Sequence, residues 1–131
     1  MESLNDFDRE LLTGLNFAHV ATVARDGAPH VTVVWIDADD THVLLNTAEG
    51  RAKDRQLRAD PRVNVSVHDQ MSGYRYVSIR GVVDERIVGE RALEHIDFLN
   101  RKYHDGTPWT PVDGQVRVLY RIGPEHVIRY T

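Results

Sequence analysis

The residues best suited to chemistry lie together in one connection, Asn46–Arg62 (NTAEGRAKDRQLRADPR). It leaves a stretch of strand character, passes Gly50 and enters a short helical run over Arg51–Ala59. Asp60-Pro61 closes that run, because the residue before a proline is pushed away from helical angles. The start of such a helix presents backbone N–H groups without intrahelical acceptors and the positive end of the peptide dipole. Arg51 and Lys53 stand at that start, and Arg55 is expected one turn from Arg51 on the same side. Between Arg51 and Arg62 five basic residues accompany two acidic ones, a local balance of +3 in a chain of net charge -4. An arginine fork, a lysine point charge and free backbone donors are the ingredients of a phosphate grip. A solvated helix face whose basic residues pair with Asp54 and Asp60 accounts for the same residues, and composition does not choose between the two.

Other residue types point less clearly to a site. His19, His30, His42 and His68 fall on four different expected strands, with no ligand pair at helical spacing, so no metal site is expected. The chain has no cysteine, which removes disulfides, thiolate zinc sites and a cysteine nucleophile, and fits a reducing cytoplasm. Asp37, Asp39 and Asp40 resemble paired carboxylates but sit where a hairpin turn is expected, a place aspartate favours. Ser72, Ser78 and Thr22 lack a nucleophile-elbow setting. The net negative charge argues against a nucleic-acid coat. No apolar run approaches the ~20 residues that cross a bilayer, and MESLNDFDRE has no secretory-signal pattern. Of 16 basic residues only Lys53 and Lys102 are lysine, an arginine bias that reads as a GC-rich bacterial genome.

The elements that must position the basic connection follow from periodicity. With 131 residues, 41% hydrophobic and 27% charged, a single domain is expected over the whole chain. Asn5–Leu15 places Phe7, Leu11, Leu12 and Leu15 on one helical face, with Asn5 or Ser3 as N-cap. Phe17–Arg25 and Pro29–Asp37 read as strands joined at Asp26-Gly27, a pair that supplies the positive φ angles of a tight hairpin. His42–Thr47 is a third strand, and the three are expected to form a meander. Arg62–His68 alternates Val63, Val65 and Val67 against polar residues, as a half-buried strand does. Tyr74–Val88 is a long strand or a bent pair of strands, with a bulge or sharp coil at Gly81. Glu90–Tyr103 is a second amphipathic helix, with Leu93, Ile96, Phe98, Leu99 and Tyr103 as its apolar residues. After a loop over Asp105–Gly114, two strands, Gln115–Ile122 and His126–Tyr130, end the chain. Six or seven antiparallel strands with two to three helices point to a mainly β fold, a small closed barrel, with an open sandwich as the alternative.

The run Gly50–Val63 (GRAKDRQLRADPRV) resembles the phosphate-binding segment of the pyridoxamine 5′-phosphate oxidase-like split β-barrel flavoproteins. It is most similar to the actinobacterial branch that uses the deazaflavin coenzyme F420. Asp26–His30, Val33–Trp35, Val67–Asp69 and Tyr74–Gly81 follow in the same order, so the resemblance spans Leu11–Tyr130. It implies an FMN-binding-like split barrel and a homodimer with two cofactor sites at the subunit interface. It further implies hydride transfer between F420, or alternatively FMN, and a small planar or conjugated substrate. Carried onto this chain, Arg51 and Lys53 would bind the cofactor phosphate with Arg55 in support, and Asn46 and Thr47 would contact the phosphate or ribityl chain. Thr32 to Trp35 would line the ring system, and Tyr74 would approach it. No catalytic acid or base is assigned, because hydride chemistry resides in the cofactor. A non-enzymatic cofactor- or haem-binding module is the alternative from outside enzymology. The C-terminal Ile-Arg-Tyr-Thr carries no second phosphate motif, so a vitamin B6 oxidase role is not expected.

Overall fold

The computed structural model describes residues 1–131 and resolves these patterns into three helices and seven strands. In chain order they are α1 (Asp6–Thr13), β1 (Ala18–Val23), β2 (Pro29–Val34), β3 (Asp37–Ala38), β4 (Val43–Ala48), α2 (Ala52–Ala59), β5 (Arg62–Asp69), β6 (Ser72–Val88), α3 (Glu90–Tyr103) and β7 (Arg117–Tyr130). Asn5 caps α1 reciprocally: its side chain accepts from the Asp8 N–H, and the Asp8 carboxylate accepts from the Asn5 N–H. Asp8 also receives Arg129 at 2.8 and 2.7 Å, which ties α1 to the last strand. Leu11 and Leu12 enter the core, whereas Leu15 lies past the helix end and is exposed. In the β1–β2 hairpin only Gly27 takes positive φ, 87°. Asp26 contributes instead through its carboxylate, which accepts from the Ala28 N–H.

All seven strands form one antiparallel sheet in the order β2-β1-β5-β6-β7-β4-β3. The expected meander does not form. β1 pairs with β2, but β4 crosses to β7, with Val43 opposite Ile122 and Ala48 opposite Arg117. Val43, Leu44, Leu45, Thr47 and Ala48 are all buried, so β4 needs cover on both faces, as strands inside a layered fold do. Beside β7 it has both: Leu45 enters the main core, and Leu44 packs with Ala92 of α3 and Leu119. The two expected C-terminal strands are one, Arg117–Tyr130. Against β6 it leaves no room for a side chain at Gly81, where a Cβ would sit 2.7 Å from the Gly123 carbonyl oxygen, next to a register shift. On α3 the inward residues are Ala92, His95, Ile96, Leu99 and Asn100. Leu93 and Phe98 are exposed, because those inward positions set a face that their own spacing misses.

β2 and β4 do not pair, so the sheet curls into a half-barrel with a seam instead of closing completely. One continuous core of 18 buried residues fills it, from Leu11 and Leu12 of α1 to Tyr120 and Ile122 of β7. Across the sheet's other face, Val33, His19, Ser66, Ser78 and Ile128 are direct cross-strand neighbours. Val31, Val33, Ile128 and Tyr130 there are each more than half exposed. No helix is long and apolar enough to cross a membrane.

Candidate functional site

The seam opens into two adjoining cavities that share Val34, Asn46 and Arg51. The first, about 240 Å³, is lined as well by His30 and Thr32 of β2, Thr47 of β4, and Ala52 and Lys53 of α2. The second, about 320 Å³, adds Phe17, Val33, Trp35, Ile96, Leu99 and Arg117. One groove therefore gathers six of the expected residues: Thr32, Trp35, Asn46, Thr47, Arg51 and Lys53.

The start of α2 is held in place from below. Asp54 is fully buried and accepts from the Gly50 N–H at 3.0 Å, the Tyr120 hydroxyl at 2.5 Å and Arg86 Nε at 3.1 Å. Burial alone would raise its carboxyl, but these hydrogen bonds prevail and hold it below the usual carboxylate range. Burial and the Asp54 contact push the Tyr120 hydroxyl up to about 12, so it stays a donor. Gly50, at φ 88°, makes the turn into the helix that brings Arg51 and Lys53 to the groove.

Three cations then meet there without an answering carboxylate. Every arginine–carboxylate pair in the molecule is made elsewhere, by Arg9, Arg62, Arg75, Arg86, Arg101, Arg121 and Arg129. Desolvation, then the neighbouring charge of Arg51, lowers the Lys53 ammonium from its ordinary value. The same two causes pull the guanidinium of Arg117, only 6% exposed, down to about 10. Two cations depressed by burial and by a third beside them in a half-dry groove are arranged for an anion. Arg117 carries no local signal in the sequence. It arrives through the β4–β7 pairing, 64 positions beyond Lys53 in the numbering.

The β2 wall adds a second sign of a ligand. Thr32 Oγ1 is the one buried side-chain polar atom that has no hydrogen-bond partner. An unsatisfied buried hydroxyl is costly, so a ligand atom that engages it gains what the free protein lacks. Thr32→Val should therefore leave stability in urea unchanged or raise it by up to about 1 kcal/mol, while weakening binding of the groove's ligand. A clear loss of stability would show that the hydroxyl has a partner within the fold. Trp35 stacks on Tyr103 at 5.2 Å and 6°, and His104 meets its edge, so it forms a braced apolar wall. Trp109 packs under the Arg117 guanidinium at 5.2 Å.

Two expected residues lie apart from the groove. Arg51 is the N-cap, in extended backbone at φ −67° and ψ 160°, so the helical four-residue spacing to Arg55 does not apply. Arg55 turns to the far side of α2, where it donates to the Gly50 carbonyl and lines a cavity of about 700 Å³ with Arg25, Gln56 and Arg62. That cavity is the largest, but Arg62 there is already clasped by Asp60 at 2.7 to 3.3 Å. The ion-pairing alternative for the basic run thus holds for Asp60, whereas Asp54 pairs with Arg86 of β6. Tyr74, 80% exposed, lies near the β5–β6 turn and touches neither cavity. Asp39 does perform turn chemistry, accepting from the N–H groups of Thr41 and His42. Asp37 does not: it is buried against His95 at 3.1 Å.

The profile of the family described as pyridoxamine 5′-phosphate oxidase matches residues 4–127. The chain belongs to the pyridoxamine 5′-phosphate oxidase family. Among solved structures of this fold, an F420 reductase is 31% identical at a TM-score of 0.82, with 95% of this chain and 98% of that chain covered. A conserved hypothetical protein from Mycobacterium tuberculosis is 25% identical at 0.72, covering 97% and 84%. A FAD-binding protein from Mesorhizobium loti is 26% identical at 0.64, covering 96% and 94%.

Proposed function

We propose that this protein is an oxidoreductase that holds the deazaflavin coenzyme F420 in the seam between β2 and β4. It would pass hydride between that coenzyme and a small planar or conjugated substrate. The observation that carries this is the trio Arg51, Lys53 and Arg117, three cations on one groove with no carboxylate partner. Lys53 as a point charge and Arg51 as a planar fork grip the phosphate at the start of α2. The hydroxyls of Thr32 and Thr47 take polar contacts further along. Phe17, Val33, Trp35, Ile96 and Leu99 bed the ring system and keep water from one face of it. When bound, the deazaflavin supplies the hydride chemistry at C5 of its ring. The chain's own part is to bind, orient and exclude water, which needs no acid or base in the groove. The 31% identity to an F420 reductase favours the deazaflavin. Likeness to a FAD-binding protein supports a second reading, FMN in the same groove.

A second copy of the chain belongs to the same proposal. Val31, Val33, Ile128 and Tyr130 expose apolar surface on one sheet face that a symmetric partner would cover. Fluorescence titration of the purified protein with F420 and FMN side by side tests the cofactor. Saturable F420 binding with weaker FMN binding is the expected result. Tight FMN with no response to F420 would transfer the site to the flavin, and no binding of either would end the proposal. Light scattering should return twice the monomer mass.

A further inference from the structure

Asn46 sits at the back of the groove with all of its amide engaged. Its Oδ1 accepts from Arg117 Nε at 3.0 Å, and its Nδ2 donates to the Ala92 carbonyl oxygen at 3.0 Å and to His95 Nδ1 at 3.1 Å. A half-turn of the carboxamide would set its N–H groups against the Arg117 donor and its oxygen against the Ala92 carbonyl. The orientation is therefore fixed by two partners of opposite polarity. It follows that His95 Nδ1 has to accept. The single ring proton of neutral His95 then sits on Nε2, 3.1 Å from the buried Asp37 carboxylate, which receives it.

We propose that His95 is a positioning residue for the anion groove: by presenting an unprotonated Nδ1 it takes the second Asn46 N–H and, together with the Ala92 carbonyl, holds the Asn46 face that Arg117 meets, and so aims the guanidinium beside Arg51. The functional meaning of this rests on the phosphate-groove proposal above; its geometry does not. Arg117 needs such a hold because no carboxylate provides one. Its other contacts are Gln115 Oε1 at 3.4 Å and the Trp109 face at 5.2 Å, both weak restraints on direction. Buried Asp37, which holds the tautomer, lies on β3 and so links the groove to the second edge of the sheet.

Two substitutions separate the two ring nitrogens. An asparagine at this position can keep an acceptor near Nδ1, while a glutamine reaches the Nε2 position, keeps a donor to Asp37 and loses the acceptor. In the ¹⁵N-labelled free protein the Arg117 Nε–H resonance is identified by its loss in Arg117→Lys, and F420 and FMN are then titrated by fluorescence. His95→Asn should leave the resonance in place and affinity within about twofold of the parent, whereas His95→Gln should displace it and weaken binding about tenfold. An unmoved resonance in His95→Gln, or equal disturbance by both variants, overturns the proposal. Long-range ¹⁵N spectra of the unaltered protein test it without any variant: an Nε2–H tautomer supports it, and an Nδ1–H tautomer overturns it. Should the parent bind neither probe, the phosphate-groove proposal falls, and the Arg117 resonance still decides whether His95 aims it.

Discussion

Lys53→Ala is expected to lower affinity for the proposed ligand, F420, by about tenfold to more than a hundredfold, with the urea midpoint unchanged. One charge-assisted contact to phosphate contributes roughly 1.5–3 kcal/mol, which sets that range. Stability is spared for a physical reason. The Lys53 ammonium makes no ion pair in the free fold, and both desolvation and Arg51 already work against its charge. Removing it relieves repulsion in the empty groove and removes attraction only when an anion is present. The check is a fluorescence titration of parent and variant beside their urea curves. Equal affinities would place the phosphate elsewhere, with the cavity on the far side of α2, lined by Arg25, as the other basic opening.

Asp54→Ala has the opposite profile, a fold effect with binding lost as a consequence. It should destabilise by about 3–5 kcal/mol, the cost of breaking a buried ion pair from one side. Of its carboxylate partners Arg86 would keep only Glu49, at 3.2 Å near the surface, and the Tyr120 hydroxyl and the Gly50 N–H would lose their carboxylate acceptor. The same carboxylate gives a pH signature of definite sign. Its folded-state pKa is depressed, so its contribution is complete above the ordinary carboxylate range near ~4 and disappears as pH falls through the lower folded value. The stability gap between the parent and Asp54→Asn should be widest near neutral pH and close on acidification below about pH 4. A gap that stays constant down to pH 2 would mean that the Asp54 pKa is not depressed by the fold.

The local grammar of this chain was readable from its residues. The Val63, Val65 and Val67 alternation, the Asp26-Gly27 reversal, the Asn5 cap and the helix broken before Pro61 each depend on neighbours within a few positions. The basic run was readable for the same reason, and Arg51 and Lys53 do face the groove. What failed depended on longer range or on a one-residue boundary. The meander was wrong because a doubly buried β4 finds both its covers only beside β7. Arg117 was missed because that pairing brings it in. Arg55 was expected beside Arg51 because the helix was started one residue early, and an N-cap in extended backbone does not share the helical repeat. Asp37 reads locally as a turn residue because His95, its partner, lies 58 positions away.

The unpaired edge of β2 has a consequence for how loading would be felt. That strand hangs from β1 alone, so the backbone amides on its free side have no neighbouring strand to shield them. A molecule lying across the slit, with its head at Lys53 and its body against Val33 and Trp35, braces both lips at once. Exchange of deuterium into β2 and β4 should then slow together, as though one more rung had been fitted to the sheet, even though the two strands do not pair.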